Sequence, residues 1–131
     1  MAGEPILIVD DNPANLKLAR VLLTGEGYQV RTASDAEEAI DILASFEPRL
    51  ILMDLQLPGM DGLELTRRLK SDPARRHVAV IALTAYAMKG DEDKARAAGC
   101  DGYISKPIDT DLLFRTVAEL LAGGAHAEAG R

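Results

Sequence analysis

Apolar residues follow two rhythms along this chain: short unbroken runs, and longer stretches where they recur every three or four positions. The runs are Ile6-Leu7-Ile8-Val9, Leu50-Ile51-Leu52-Met53 and Val78-Ala79-Val80-Ile81-Ala82-Leu83. A strand covered on both faces loses polar alternation because neither side meets water, so these runs predict buried strands. Gln29-Val30-Arg31-Thr32 alternates as an edge strand does, and Gly102-Tyr103-Ile104-Ser105 is a brief fifth candidate.

Helical spacing fills the intervals. After the cap-and-proline pair Asn12-Pro13, Leu16, Ala19, Leu22 and Leu23 share one face until Gly25 and Gly27 end the segment. Ser34-Asp35-Ala36-Glu37 reads as a capping box opening a second helix. That helix presents Ala36, Ala39, Ile40 and Leu43 and is expected to run until Pro48 stops it. A third helix spans about Gly62 to Lys70 before Ser71-Asp72-Pro73, and a fourth runs from Asp91 to Ala98 before Gly99. The last starts near Asp109 and carries Leu112, Leu113, Val117, Leu120 and Leu121. Strand and helix therefore alternate five times, which predicts right-handed crossovers and a parallel sheet with helices on both faces.

Composition narrows the picture only a little. With 131 residues, one domain over 1–122 uses nearly the whole chain, and the small, polar segment 123–131 reads as a flexible tail. A formal net charge of −6 argues against direct nucleic-acid binding. The lone cysteine, Cys100, has no internal disulfide partner and reads as a small, partly buried residue. The first residues lack a signal-peptide pattern, and no apolar run reaches the roughly 18–20 residues that span a bilayer. A cytoplasmic protein with no membrane segment is the expectation.

The chemistry stands where the predicted strands stop. The first ends at Asp10-Asp11, the third at Asp54, the fourth at Thr84 and the fifth at Ser105-Lys106-Pro107. In open α/β sheets, ligands bind outside the carboxyl ends of the strands, where the winding reverses. Three carboxylates, a hydroxyl and an ammonium should therefore converge on one rim. Two unit charges about 4 Å apart repel by roughly 4 kcal/mol at an effective dielectric near 20, so such a cluster needs compensation. A hard divalent cation held by a few carboxylates and water suits Mg²⁺. Aspartate is also a known covalent phosphoryl acceptor, and phosphoryl transfer asks mainly for positioning and charge neutralisation. Each residue alone reads as a cap, turn or loop; their shared edge is what points to phosphoryl chemistry.

Those same segments resemble the receiver-domain family of response regulators from Ile6 to Leu121. The resemblance is carried by Ile6 to Asn12, Leu50 to Gly62 (with Asp54, Gln56, Pro58, Gly59, Met60 and Asp61), Ala82 to Ala85, and Tyr103 to Pro107. The segment from Ala87 through Met88, Lys89 and Gly90 to Glu92, with no output domain following, looks most like single-domain cell-division regulators. The resemblance implies a flavodoxin-like doubly wound five-stranded parallel sheet of order 2-1-3-4-5 flanked by five helices. Asp54 would be the phosphorylated residue. Asp11, Asp54 and the backbone carbonyl of Gln56 would bind Mg²⁺, and Asp10 would act mainly through metal-bound water. Thr84 and Lys106 would contact the phosphoryl group, the Lys106-Pro107 bond would be cis, and Thr84 with Tyr103 would form a switch. The side chains of Gln56 and Tyr86 would stand where phosphoaspartate lifetime is tuned. His77 and His126 read as a loop and a tail residue.

Implied partners are a histidine kinase or histidine phosphotransfer protein upstream and a downstream regulatory protein, with the chain a monomer or weak dimer. It would catalyse only its own phosphorylation and dephosphorylation. Three other readings stand beside this one. A haloacid-dehalogenase-like phosphatase shares the strand-end Asp and Mg²⁺ but wants an acid where Gln56 stands. A phosphorylation-independent receiver is opposed by the intact set of Asp10, Asp11, Asp54, Thr84 and Lys106. A relay that passes the group onward is not separable by sequence.

Overall fold

In the computed structural model, residues 3–57, 59, 61–84 and 90–122 are described. The expectations placed on Tyr86, on residues 87–89, on His126 and on the tail at 123–131 lie outside them. The order is β1 (Pro5–Val9), α1 (Pro13–Gly25), β2 (Gln29–Ala33), α2 (Ala36–Leu43), β3 (Leu50–Asp54), α3 (Gly62–Ser71), β4 (Ala79–Thr84), α4 (Asp91–Ala98), β5 (Gly102–Ser105) and α5 (Thr110–Leu121). All five strands pair in parallel in the order β2-β1-β3-β4-β5. The expected sheet and its five flanking helices are present.

Strand alternation divides the core into two layers, because successive side chains leave opposite faces. Leu7, Val9, Ile51, Met53, Val80 and Ala82 pack with Ala39, Leu43, Leu65, Leu69 and Ala95, under α2, α3 and α4. Ile6, Ile8, Leu50, Leu52, Ile81 and Leu83 pack with Ala19, Leu23, Leu113, Val117 and Leu120, under α1 and α5. β1, β3 and β4 lie inside the sheet and carry almost no polar side chains, whereas β2 at one edge alternates.

Local chemistry sets most ends. Asn12 caps α1 by accepting from the Ala14 and Asn15 amides, with Pro13 at the first helical position. Asp61 and Asp109 cap α3 and α5 in the same way. α2 differs from expectation in three respects. Its cap is Asp35, which accepts from the Glu38 amide, while Glu38 reaches back to the Ser34 amide and hydroxyl. It stops at Leu43, well before Pro48, where the Ala44 and Ser45 amides tighten onto Asp41 and Ile42. Ile40 is exposed rather than core: the buried residues of α2 are Ala36, Ala39 and Leu43, with Ile42 partly buried against the same layer. β4 starts one residue later than its apolar run because the Val78 amide is committed to the Arg75 carbonyl in the preceding turn.

Candidate functional site

Parallel pairing carries the ends of β1, β3 and β4 to one rim, and the ladder continues just past them. The Asp10 amide bonds the Ala33 carbonyl at 3.1 Å, the Leu55 amide bonds Leu83 at 2.9 Å, and the Lys106 amide bonds Thr84 at 2.7 Å. The main chain bearing each reactive side chain is thereby held by its neighbour. The Lys106–Pro107 peptide is cis.

Two of the aspartates are oriented by one repeated device. Asp10 Oδ1 accepts the Asn12 amide at 2.9 Å, and Asp54 Oδ1 accepts the Gln56 amide at 3.0 Å. This Asx geometry is local and cheap, and it leaves both Oδ2 atoms toward the ammonium of Lys106. Lys106 Nζ lies 3.1 Å from Asp10 Oδ2 and 3.3 Å from Asp54 Oδ2. Asp10 and Asp54 are each only 1% exposed, whereas Asp11 stands at the solvent side. Carboxylate oxygens of Asp10, Asp11 and Asp54 all lie within 4.8 Å of one another.

Charge counting shows what this pocket lacks. Three carboxylates face one ammonium, leaving an excess of two negative charges. Burial pushes the Asp54 carboxyl up, the Asp10 charge adds to it, and the Gln56 amide and Lys106 only partly oppose, so it titrates at about 6. Burial works against the Lys106 ammonium too, yet Asp10 and Asp54 outweigh it and raise its pKa. Asp10 Oδ2 is buried with an ion-pair contact to Lys106 but no well-angled hydrogen bond. An under-satisfied buried carboxylate oxygen, beside two more within ligand distance, is what a small oxygen-seeking dication fits.

Thr84 is fully buried at the end of β4, and its Oγ1 accepts from Gln56 Nε2 at 3.2 Å. Tyr103, on the edge strand β5, is half-buried against the α2–α4 layer. Two features escaped the sequence reading. One is that side-chain tie between Gln56 and Thr84, which no local pattern announces. The other is Gly62, where an added Cβ would run into the Asp54 backbone carbonyl and lie 3.0 Å from Met53 Cγ. A glycine at the first helical position, where any residue fits the backbone, was the available sign of that close approach. Lys70 and Asp101 form a second, half-buried ion pair at 2.9 Å, at the opposite end of β4, outside this site.

Fold and site together define an α/β protein with three clustered carboxylates and a lysine at the carboxyl edge of a parallel sheet. The model of the response regulator receiver domain matches residues 6–118, and the chain belongs to that family, the receivers of two-component signalling. The polar-differentiation response regulator DivK of Brucella anthropi is 47% identical over 116 residues, covering 88% of this chain and 94% of that protein. A receiver domain of a sensor histidine kinase from Pseudomonas aeruginosa PAO1, solved with a magnesium ion in its active-site cleft, superposes with a TM-score of 0.84 at 35% identity. It covers 92% of this chain and 99% of its own. A CheY-like receiver from Methanospirillum hungatei JF-1 gives 0.86 at 32% identity, over 97% and 99% of the two chains.

Proposed function

We propose that this receiver takes a phosphoryl group onto Asp54 from a phosphohistidine of a kinase or phosphotransfer protein, and signals by protein contact. The single observation that carries the reading is the clustering of Asp10, Asp11 and Asp54 oxygens within 4.8 Å, with Lys106 bridging Asp10 and Asp54. In the transfer, an Asp54 carboxylate oxygen forms the new bond to phosphorus. The phosphorus–nitrogen bond of the donor breaks, and its electron pair returns to the imidazole. Lys106 is placed to take one equatorial oxygen as an ion pair, and Thr84 a second as a hydrogen-bond donor.

Asp11, Asp54 and the Gln56 carbonyl would hold Mg²⁺ directly, with Asp10 acting through its water. Bound there, the ion would supply the positive charge that three carboxylates and an incoming phosphoryl group lack. Thr84, fully buried at the end of β4, and Tyr103, half-buried on the adjacent β5 opposite Ala82, support a paired switch, in which hydroxyl and ring would move together and alter the face of α4, β5 and α5. Among the described residues no helix is long and apolar enough to cross a membrane.

The test is mass spectrometry after incubation with acetyl phosphate and Mg²⁺. One phosphoryl group per chain on the wild type, absent from Asp54→Asn, is the expected result. Catalytic turnover of p-nitrophenyl phosphate without stoichiometric labelling would favour a dehalogenase-like phosphatase instead. Gln56 cannot serve as that enzyme's acid, since its carboxamide has no proton to give at neutral pH.

A further inference from the structure

Ile40 is a large apolar side chain that the core leaves outside, 41% exposed. It stands at the lip of an open groove of about 380 Å³ between α2 and α3, floored by Leu43, Leu65 and Leu69. One exposed isoleucine means little by itself. What surrounds this one does, because charge separates the two walls of the groove. Residues 36–44 hold three acids and no cation, whereas residues 62–77 hold five cations and two acids. On the α2 side Glu38 is committed to the Ser34 cap, but Glu37 and Asp41 are exposed within a turn of Ile40. Neither pairs with a cation among the described residues. On the α3 side Arg68 is 60% exposed and shares Glu64 with Arg67, so two guanidinium groups meet one carboxylate. Arg75 lines the groove below it, paired with Asp72, and Arg76 is exposed next in the chain.

An apolar floor thus runs between an acidic lip and a basic lip. A polyanion would match the basic lip and be repelled by the other. A surface carrying both signs matches its own two-fold image, since rotation about an axis through the groove lays each lip on its opposite, twice. We propose that this α2–α3 face is where two copies of the chain meet in an isologous dimer. Ile40 of each copy is covered by the groove of the other, and Glu37 and Asp41 face Arg68 across the axis. Size sets the strength. Two helices of eight and ten residues, about 10 Å apart at a rise of about 1.5 Å per residue, offer roughly 300 Å² a side. Doubled, that is short of the roughly 1,000 Å² that a stable interface clears, so the dimer is transient. Its dissociation constant should fall near about 0.1 mM.

The test is sedimentation of the full chain, without phosphodonor, from about 20 µM to about 1 mM. Wild type is expected to pass from monomer to dimer over that range, and less readily in about 0.5 M salt, where the lip charges are screened. Ile40→Asp should weaken association at least about tenfold by placing a charge against the apolar floor. Glu37→Lys with Asp41→Lys, and separately Arg68→Glu, should each weaken it by about tenfold as well, since like charges then face each other at both contacts. Mixing those two variants in equal amounts should restore dimers to within about threefold of wild type, because every contact in the mixed dimer again joins opposite charges. Melting curves confirm that each variant is folded. A chain still monomeric at the highest concentration would overturn the proposal, as would dimers indifferent to Ile40→Asp or a mixture that associates no better than its components.

Discussion

Replacing Asp54 with asparagine should stabilise the metal-free protein, although it removes the reactive group. Asp54 is 1% exposed and titrates at about 6 rather than the ordinary 3.8, with burial the main cause and the Asp10 charge adding to it. Its native form therefore holds a proton more tightly than the unfolded chain does. For such an acid, stability is greatest below about pH 4, declines as pH rises toward 6, and stays lower above that. The gap between 3.8 and about 6, at about 1.36 kcal/mol per pH unit, sets a ceiling of about 3 kcal/mol. Water at the open rim screens part of it, leaving about 1–2 kcal/mol. Asparagine keeps an Oδ1 for the Gln56 amide, and the lost pull of Lys106 is already counted in that net upward shift.

For a chain of this size, unfolding entropy near 2.1 cal/mol/K per residue converts the gain into a Tm rise of about 4–8 °C. Thermal melts of both proteins at pH 8 in EDTA measure it. At pH 4 most of the gain should vanish, because the wild-type carboxyl is then protonated in the folded state and close to half protonated in the unfolded chain. Saturating Mg²⁺ should close the gap at pH 8, since it stabilises the chain with the full ligand set more. An asparagine variant that melts at or below wild type in EDTA, or gains equally at pH 4, would refute the electrostatic account.

Gly62→Ala should destabilise by about 1–3 kcal/mol as an overpacking change and slow labelling of Asp54, because the new methyl meets the Asp54 carbonyl. A urea midpoint unchanged from wild type would contradict that contact. Lys70→Met should cost about 2–3 kcal/mol. It removes donors from the Val78 and Arg76 carbonyls and leaves the Asp101 carboxylate without its cation. Restoration by a second change, Asp101→Asn, is expected to be partial and is read in the same denaturation series. Cys100 is buried and its thiol is pushed up to about 11, so at pH 8 native protein should react with Ellman's reagent only as fast as it unfolds. Prompt release of one equivalent of thionitrobenzoate would show the thiol to be accessible.

The architecture was legible because its signals are local. Three apolar runs free of polar residues demand cover on both faces. Asn12-Pro13, Asp61 and Asp109 announce helix starts through bonds to amides only two or three residues away. Errors fell where tertiary contacts choose between local options. The α2 cap could be Ser34 or Asp35. Its end was placed at Pro48 although the chain leaves the helix at Leu43. Ile40 matched the apolar rhythm but missed the sheet.

By its order of residues alone, the chain determined five alternating strands and helices, and it placed Asp10, Asp11, Asp54, Thr84 and Lys106 at strand ends. Only the folded sheet decided how those ends use one another. Asp10 is buried against Lys106 while its neighbour Asp11 faces solvent, the Gln56 carboxamide reaches Thr84, and α3 approaches so near to Asp54 that residue 62 must lack a side chain. The reason is one of range: hydrophobic periodicity and capping act over a few residues, whereas charge pairing and close packing join positions far apart in the chain and take their geometry from strand register.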